Sequence, residues 1–376
     1  ASATQQPHWQ GRLEAGQWAA ATVLGDLGTA EPWGAEVGAG AASSRFKTPR
    51  EFRVEQVLGS AQTGSLLAMA FDDLGRIIAS REDGPLVRAS DTNGDGKLDQ
   101  VVEYCGLVKN SQGILCFGSH VVVVGDGPEG PGLYRLIDED KNDQPEQARL
   151  LIKFKGGMGE HGAHVPVLGP DGMIYVLVGN HAQPERPYDA NSPHRHFYEG
   201  DLVQPRYEDA GGHAVGIKAP GGVILRTDLE GKTLELHSGG YRNPYDFCFN
   251  RQGELFTFDS DMEWDIGAPW YRPTRVFHSL IGSDQGWVSK SWKRPDHDFD
   301  MPPVVASTGR GSPTGMVCYQ HDQFPERYRH GLFILDWTYG RVLHLPLEQK
   351  QETWTAPAED FMTGLGEHGF APTDIE

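Results

Sequence analysis

Residues 86–95 read Leu-Val-Arg-Ala-Ser-Asp-Thr-Asn-Gly-Asp, and residues 133–142, which lie 47 positions further along, read Leu-Tyr-Arg-Leu-Ile-Asp-Glu-Asp-Lys-Asn. Each copy begins with a short apolar stretch and ends in a run of Asp and Asn. A repeat of roughly 40 to 50 residues made of short strands and turns is typical of propeller blades. A β-sandwich would not repeat one motif at this spacing, and a helical solenoid would require a helical periodicity that the chain lacks. The sequence therefore predicts an all-β protein with a β-propeller fold.

A second recurring unit, a turn containing Asp or Asn and Gly followed by a short apolar strand, supports this fold. It occurs at residues 72–78, 169–176 and 250–256, and each copy has the pattern of a β-hairpin. Blades counted in this way begin near residues 65, 112, 165, 223 and 312. One further unit begins at residues 370–376. We therefore predict a six-bladed propeller whose last blade is either incomplete or closed by an N-terminal strand.

Composition divides the chain into an arm and one large domain. Residues 1–50 are rich in Gly and Ala and predict an N-terminal arm or linker without a core of its own. Residues 51–376 form the predicted propeller, with an inserted loop or hairpin at about 181–220 that is rich in Pro and charged residues. The whole chain has 48 Gly and 25 Pro among 376 residues, which favours short strands over long helices.

Charge excludes two classes of partner. The chain carries 33 Lys and Arg against 52 Asp and Glu, a formal charge of −19, and such a surface repels nucleic acid and anionic lipid. No apolar run approaches the roughly 20 residues that a membrane helix needs, so direct membrane insertion is not expected. The small residues at the start, Ala1 to Thr4, resemble the sequence beside a signal-peptidase cut. We expect a periplasmic or secreted protein whose signal peptide has been removed.

The four cysteines, Cys105, Cys116, Cys248 and Cys318, form no CxxC, CxxCH or Cys/His metal pattern. Zinc ribbons, thioredoxin chemistry and covalently attached haem are therefore excluded. Cys105 and Cys116 are close enough in sequence to form a disulfide between adjacent strands, and four buried thiols are an equally good interpretation.

The repeated Asp-rich runs are candidate calcium loops. Alternating oxygen ligands on a tight loop converge on one point and suit Ca²⁺, although an Asp or Asn turn that binds its own backbone has the same pattern. The first loop lacks an acid at its twelfth position, where Val102 stands, and in the second loop Asp143 replaces the glycine. We expect calcium to have a structural role. The candidate ligands are Asp91, Asn93, Asp95 and Asp99 in the first loop and Asp138, Asp140 and Asn142, with Glu146, in the second.

Four further segments carry side chains suited to binding and catalysis. A histidine in a Gly-rich loop before a strand is able to face a central cavity and act as a general base. An Arg and an Asn on a loop stiffened by Pro can hold carbonyl or hydroxyl oxygens, and acids beside aromatic rings suit a polyhydroxylated ligand. A buried structural histidine, an arginine tied to backbone carbonyls and a solvated acidic loop are the corresponding structural alternatives. The candidate residues are His161, His164, Arg242, Asn243, Asp261, Trp264 and Arg310.

These motifs resemble those of the soluble glucose and sorbosone dehydrogenase superfamily. The resemblance runs from about residue 52 to the end of the chain. His161 precedes the Gly-Pro-Asp-Gly turn at 169–172 by eight residues, and Gly-Tyr-Arg-Asn-Pro follows at 240–244. Residues 212–222 and 261–275 are similar to a subgroup abundant in Planctomycetes, the membrane-bound dehydrogenase propellers that are often fused to haem domains.

The resemblance implies a six-bladed propeller that binds pyrroloquinoline quinone (PQQ) and Ca²⁺. Within it, His161 matches the base that takes the sugar hydroxyl proton, and Arg242 and Asn243 match residues that contact the quinone oxygens. The cations that hold the quinone carboxylates in the family match only Thr338 and the Pro372-Thr373 pair here. A tricarboxylate with its charges poorly paired is held unfavourably, unless Arg310 or Arg341 compensates.

Two hypotheses follow for the function of the chain. The first is an extracytoplasmic sugar or polyol dehydrogenase-like propeller that binds a carbohydrate at its central face and oxidises it, with a c-type cytochrome or another protein subunit as a partner. The second is a propeller without redox activity that acts as a carbohydrate-binding or protein-assembly subunit, because fold alone does not determine function. The remaining alternative is a lyase or hydrolase that acts on sugars.

Overall fold

The computed structural model confirms an all-β propeller. It describes residues 10–12, 18–20, 45–192, 214–218, 220–262, 271–287, 301–365 and 370–376. The helical elements described within these ranges are one turn of α-helix, α1 at Ser60–Thr63, and one 3₁₀ turn at Glu326–Tyr328, and Arg45 and Ala214 are also in 3₁₀ conformation. Among the described residues, no helix has the length and hydropathy needed to cross a lipid bilayer.

Five antiparallel sheets of four or five strands form the blades. The described N-terminal strands are β1 (Gln10–Arg12) and β2 (Trp18–Ala20), which pair with each other, and β3 (Phe46–Lys47). Blade 1 consists of β4 (Leu66–Phe71), β5 (Ile77–Arg81), β6 (Leu86–Ser90) and β7 (Gln100–Cys105). Blade 2 consists of β8 (Lys109–Phe117), β9 (His120–Gly127), β10 (Gly130–Ile137), β11 (Gln147–Lys155) and, at its outer edge, β14 (Gln183–Pro184).

The remaining three blades have the same strand order. Blade 3 consists of β12 (Ala163–Leu168), β13 (Ile174–Val178), β15 (Gly222–Thr227) and β16 (Glu235–Tyr241). Blade 4 consists of β17 (Phe247–Phe249), β18 (Leu255–Asp259), β19 (Thr274–His278) and β20 (Val304–Gly309). Blade 5 consists of β21 (Pro313–Cys318), β22 (Leu332–Asp336), β23 (Arg341–Leu345) and β26 (Glu359–Gly364), and the hairpin of β24 (Glu348–Lys350) and β25 (Thr353–Thr355) precedes its last strand.

The three predicted turn units are hairpin turns between the first and second strands of blades 1, 3 and 4. Gly75, Gly172 and Gly253 each have a φ between 75° and 83° and each donates its backbone N–H to the carbonyl three residues earlier, at 2.9–3.0 Å. Glycine adopts this left-handed conformation without steric cost. The side chains of Asp72 and Asn250 then accept the backbone N–H groups of the next turn residues.

The 47-residue repeat is confirmed at the level of hydrogen bonds. Asp91 accepts the N–H of Gly96 at 2.7 Å, and Asp138 accepts the N–H of Asp143, which occupies the equivalent position, at 2.8 Å. The loop is closed in both copies by an N–H bond back to the preceding strand, from Asp99 to Ser90 at 3.0 Å and from Glu146 to Ile137 at 3.1 Å. These loops join the third and fourth strands of blades 1 and 2.

The core lies between neighbouring blades. Alternate side chains of each strand point to opposite faces of its sheet, and four apolar clusters each join two neighbouring blades. Representative buried members are Ile78 and Tyr134 between blades 1 and 2, Leu133 and Val176 between blades 2 and 3, Leu177 and Phe277 between blades 3 and 4, and Phe256 and Ile334 between blades 4 and 5. Phe52 covers the far face of blade 5, where its ring meets that of Phe361 at 4.8 Å.

The predicted count of six blades is not confirmed, because the described residues form five. The N-terminal strand β3 pairs with β26 and so extends blade 5 at its outer edge. Residues 370–376 are extended and lie between blades 5 and 1, where Asp374 accepts the N–H of Met69 at 2.7 Å and Thr314 donates to the carbonyl of Pro372 at 2.8 Å. Together with the five innermost strands they line a central cavity of about 340 Å³. A complete sixth blade remains a prediction.

All four cysteines are free thiols in the structure. This agrees with the alternative of reduced cysteines and not with a disulfide between Cys105 and Cys116. Cys105, Cys248 and Cys318 are buried. Burial raises the pKa of the Cys105 thiol and, to about 11, that of Cys318. Thiols with raised pKa values are protonated near neutral pH and react slowly.

Candidate functional site

Loops at one face of the propeller bring the candidate residues together. We call this the site face, defined as the face at which the innermost strand of each blade begins. His161 lies just before β12, Arg242 lies between β16 and β17, and Ser312 lies just before β21. The two Asp-rich loops, 91–99 and 138–146, lie at the opposite face, because each follows the third strand of its blade.

His161 is oriented by an asparagine. Its side chain is 2% exposed, and its Nδ1 lies 2.6 Å from Oδ1 of Asn180, which follows β13 by two residues. Because an amide oxygen can only accept a hydrogen bond, Nδ1 carries the proton and the lone pair of the neutral ring is on Nε2. The His181 ring stacks on the His161 ring at 4.4 Å.

The His161 imidazole is neutral over the physiological pH range. Desolvation by burial lowers its pKa to about 3, and the nearby positive charge of Arg242 acts in the same direction, while the hydrogen bond to Asn180 partly opposes both. A neutral imidazole that carries a lone pair on Nε2 can accept a proton, which is the state that a general base requires.

A buried carboxylate positions Arg242. Asp259, at the end of β18, accepts the backbone N–H of Arg242 at 2.9 Å, that of Asn243 at 2.8 Å and that of Ser260 at 2.8 Å. The Arg242 guanidinium in turn donates to the Ser260 hydroxyl at 3.1 Å. Burial raises the pKa of Asp259 to about 6, although these bonds and Arg275 oppose the shift. The loop of blade 4 therefore fixes the cation beside His161.

Asn243 and His164 connect the loops that carry His161 and Arg242. The Asn243 amide donates to the carbonyl of Glu160 at 2.7 Å, and its Oδ1 lies 3.0 Å from Nε2 of His164. His164 is completely buried and packs on the Tyr245 ring at 4.4 Å. Desolvation by burial lowers its pKa to about 4. The structure places both side chains where they hold the loops of blades 3 and 4 together, and their contact with a ligand stays a prediction.

The other predicted residues lie at the rim. Asp261 is half-buried and follows Ser260, and Arg310 is exposed with its guanidinium 5.2 Å from the centre of the Tyr271 ring. Trp264 lies outside the described residues. Sequence reasoning missed Asn180 and Asp259 and did not propose Trp337 or Tyr339, exposed by 50% and 57% respectively, as ligand contacts. The alternation of these two aromatic residues with Thr338 directly after the buried strand β22 is a signal that could have found them.

The second Asp-rich loop gathers acids more closely than the first. Carboxylate oxygens of Asp138, Asp140 and Glu146 lie within 4.8 Å of one another. Asn142 is engaged as a donor, since its N–H bonds to Asp138 and its amide to Asp140, each at 3.1 Å. In the first loop, Asp91 accepts backbone N–H groups, Asn93 accepts the N–H of Asp95 at 2.9 Å, and Asp99 accepts the Thr92 hydroxyl at 2.9 Å. These bonds are those of the self-bonding turn that the sequence left open as an alternative.

Glycine is required at the turn that leads into Arg242. Gly240 has a φ of +77°, and a Cβ atom there would lie 1.9 Å from Oδ1 of Asp284 and 2.6 Å from the backbone N of Gln285. The same residue anchors the next loop, because its carbonyl accepts the backbone N–H of Trp287 at 2.7 Å. The backbone of blade 3 thus approaches that of blade 4 closely at this point.

We predict that Gly240→Ala lowers the free energy of unfolding by about 3 kcal/mol, because backbone strain and overpacking each cost roughly 1–3 kcal/mol. Chemical denaturation measures this loss. Gly75→Ala is the matched control, since Gly75 has a φ of +75° and a Cβ atom there would meet nothing within 4 Å; it incurs only the strain. Equal losses in the two variants would contradict the close approach at Gly240.

The fold is that of known sugar dehydrogenases. No family model and no curated relative matches the chain. Among solved structures, a glucose dehydrogenase-type oxidoreductase from Thermus thermophilus is 20% identical with a TM-score of 0.60, covering 86% of this chain and 90% of that one. The PQQ-bound aldose sugar dehydrogenase from Streptomyces coelicolor is 17% identical with a TM-score of 0.53, covering 79% and 81%. The calcium structure of a Trichoderma reesei carbohydrate-active enzyme of family AA12 is 11% identical with a TM-score of 0.58, covering 90% and 92%.

These comparisons establish the architecture. The chain has the β-propeller fold of PQQ-dependent sugar dehydrogenases, as the motifs around His161 and Arg242 predicted. At these levels of identity the likeness carries the fold alone.

Proposed function

We propose that this protein is a sugar or polyol dehydrogenase-like propeller of an extracytoplasmic compartment, which binds a carbohydrate at the site face and oxidises one of its hydroxyl groups. The observation that carries the proposal is the neutral His161, whose tautomer is fixed by Asn180 and which lies beside the buried cation of Arg242. The shared fold of sugar dehydrogenases supports it. A c-type cytochrome or another protein subunit as the physiological electron-accepting partner is part of the proposal.

The reaction assigned to His161 is proton abstraction. Nε2 takes the proton of the bound hydroxyl, the hydrogen on the same carbon leaves as hydride to an organic two-electron acceptor such as an added dye, which is thereby reduced, and the alcohol carbon becomes a carbonyl carbon. A cytochrome partner would take the electrons one at a time from the reduced acceptor. Negative charge develops on the acceptor as it receives the hydride. Arg242 stabilises that charge electrostatically, and it does so without reorganisation because Asp259 and Ser260 already hold its loop and guanidinium.

Aromatic side chains at the rim suit the remainder of a sugar. Trp337 and Tyr339 are exposed at the site face, where the backbone N–H of Trp337 bonds to the carbonyl of Ser312 at 2.9 Å. The C–H face of a sugar stacks on such rings, while carboxylates such as Asp261 bind its hydroxyl groups. Arg310 above Tyr271 offers a further donor.

The described residues do not fit the carboxylates of PQQ at the predicted clamp. Thr338 is uncharged, and its hydroxyl lies 2.7 Å from that of Ser312. Arg341, which could have compensated, donates to the buried Asp336 at 2.9 Å and to the carbonyl of Thr308 at 3.0 Å. Asp336 neutralises this cation, and the other candidate, Arg310, is exposed with its guanidinium 5.2 Å from the centre of the Tyr271 ring, so we derive no step through the quinone.

Dye reduction tests the proposal directly. The purified protein is mixed with a panel of sugars and polyols and an artificial two-electron dye, with and without added PQQ and Ca²⁺. We expect sugar-dependent reduction of the dye, and its loss in His161→Gln. The absence of sugar-dependent reduction in every mixture would overturn the assignment as a dehydrogenase.

A second candidate, a carbohydrate-binding or assembly propeller without redox activity, is favoured by one observation, the neutralised Arg341 where the quinone clamp would lie. Calorimetric titration with the same panel separates the two. Sugar binding without dye reduction would support this second candidate.

We further propose that the loop at residues 138–146 binds Ca²⁺ and that the bound ion stabilises the fold. We predict that 1 mM Ca²⁺ raises Tm by about 3 °C, which is the effect expected for a site with a Kd of roughly 10⁻⁵ to 10⁻⁴ M. Removing the ligand Asp140 with Asp140→Asn is expected to abolish the increase. Asp95→Asn in the first loop is the matched control, because Asp91, Asp95 and Asp99 do not converge in that way. A wild-type Tm that is the same in calcium and in chelator would rule out the site.

A further inference from the structure

A second cavity opens beside His161 at the site face of blade 3. Its volume is about 480 Å³, which is large enough for a monosaccharide. His181, whose ring stacks on that of His161 at 4.4 Å, forms part of its wall, and so does Asn180, which holds the Nδ1 of His161. One side chain therefore separates a ligand in this cavity from the proposed base.

The described side chains that line the cavity have the opposite charge to the protein as a whole. Lys155 and Lys218 line it, and none of the described residues that line it is acidic. The chain as a whole has a formal charge of −19, so an acid-free wall with two lysines is a local exception. A cavity lined by one sign of charge raises the local concentration of ligands of the other sign.

Asn180 supplies an independent observation. Its side chain is 3% exposed, its Oδ1 is used by His161, and its Nδ2 makes no hydrogen bond in the described part of the chain. A buried donor without an acceptor costs about 1–3 kcal/mol. An oxygen acceptor bound in the cavity would satisfy this N–H group.

Glycines give the cavity its shape. Gly156 has a φ of +98°, and a Cβ atom there would lie 2.2 Å from the carbonyl oxygen of His181. Gly221 has a φ of +67°, and a Cβ atom there would lie 2.2 Å from the Trp287 ring. Both backbones are held close to their neighbours, so the wall beside Lys155 is fixed by the fold.

We infer that this cavity binds the carboxylate of an acidic sugar, an aldonate or a uronate, which Lys155, Lys218 and the Nδ2 of Asn180 hold one side chain away from His161. The inference rests on the proposed function, to which it adds a class of ligand. A carboxylate supplies acceptor oxygens to all three donors, and charge-assisted bonds of this kind are stronger than those a neutral hydroxyl makes.

Calorimetric titration with D-glucuronate and D-glucose tests the inference. We expect glucuronate to bind at least 10-fold more tightly than glucose at low salt, and the preference to disappear in the double variant Lys155→Gln/Lys218→Gln. Lys153→Gln is the matched control, since Lys153 lies on the same strand, faces Glu185 at 4.0 Å and does not line the cavity. Equal binding of the two sugars, or a preference that survives in the double variant, would overturn the inference.

Two further measurements are made on the same proteins. Titration with PQQ identifies the source of the carboxylate, and the dye assay separates this inference from the proposed function. If PQQ binds through these lysines and glucuronate does not, the carboxylates belong to the quinone and the acidic-sugar inference is wrong. If sugars reduce the dye but glucose binds as tightly as glucuronate, the inference fails and the proposed function stands. If glucuronate binds through the lysines but no sugar reduces the dye, the binding site is supported and the assignment as a dehydrogenase fails.

Discussion

Replacing His161 by glutamine is expected to lower kcat for sugar oxidation by about 10²–10⁴-fold, the contribution of a positioned general base. Glutamine is similar in size to histidine and retains polar atoms near Asn180, but it cannot take the hydroxyl proton at neutral pH. Because His161 is 2% exposed and makes its hydrogen bond inside the loop, a polar substitute preserves the fold better than alanine. Sugar affinity is expected to change only a few-fold.

Steady-state kinetics with the artificial dye measures this effect, and calorimetry measures the sugar affinity of the same variant. His120→Gln is the control, since His120 lies in the hairpin between β8 and β9 at the opposite face. A His161→Gln protein with more than a tenth of the wild-type kcat would show that another group takes the proton.

The pH dependence of wild-type activity is a second test of His161 as the general base. Burial lowers the pKa of His161 to about 3, so the base is already deprotonated at pH 5. We therefore expect no fall in kcat/KM between pH 7 and pH 5 from this group, whereas an ordinary histidine would lose activity near pH 6.5. In Asn180→Asp, a carboxylate beside Nδ1 stabilises the imidazolium, and the fall in activity should move to higher pH. An identical profile in the two proteins would exclude Nε2 of His161 as the titrating base.

The blades could be predicted because the residues that specify each turn are close together in the sequence. The turn at Asp72 and its counterpart at Asn250 are specified by a few consecutive residues, whose side chains bond to the backbone of their own turn. The equivalent bonds of Asp91 and Asp138 explain why two loops 47 residues apart in sequence have the same shape. His161 and Arg242 were found in the same way, from short loops adjoining strong strand patterns.

The groups that orient these residues could not be predicted, because they come from other parts of the chain. Asn180 reaches His161 from the end of the neighbouring strand β13, and Asp259 reaches Arg242 from blade 4. Asn180 lies two residues after a buried strand and in no distinctive motif, and Asp259 ends a buried strand at the start of an acid run whose pattern does not indicate which acid turns inward. The cavity beside Lys155 has the same origin, since it forms only where β11, the segment after β13 and the loop before β15 meet.

Replacing Arg242 by glutamine is expected to lower kcat/KM by about 10²–10³-fold, the usual cost of removing a group that stabilises charge in the transition state. The substitution leaves the backbone N–H bonds to Asp259 in place, so the loop should keep its position. Arg242→Lys retains the charge but not the planar fork, and should lose less activity than the glutamine variant.

The pH profile of Arg242→Gln distinguishes an electrostatic role of Arg242 from a purely structural one. The positive charge of Arg242 is one of the causes that lower the pKa of His161, so its removal must raise that pKa. In Arg242→Gln the remaining activity should therefore fall with acid at a higher pH than in the wild type. Arg226→Gln is the control, because Arg226 pairs with Asp171 at the opposite face and should change neither kcat/KM nor the pH profile. If Arg242→Gln loses activity while the acid limb stays where it is in the wild type, the arginine acts by holding the loop, and its charge does not act on the reaction or on the base.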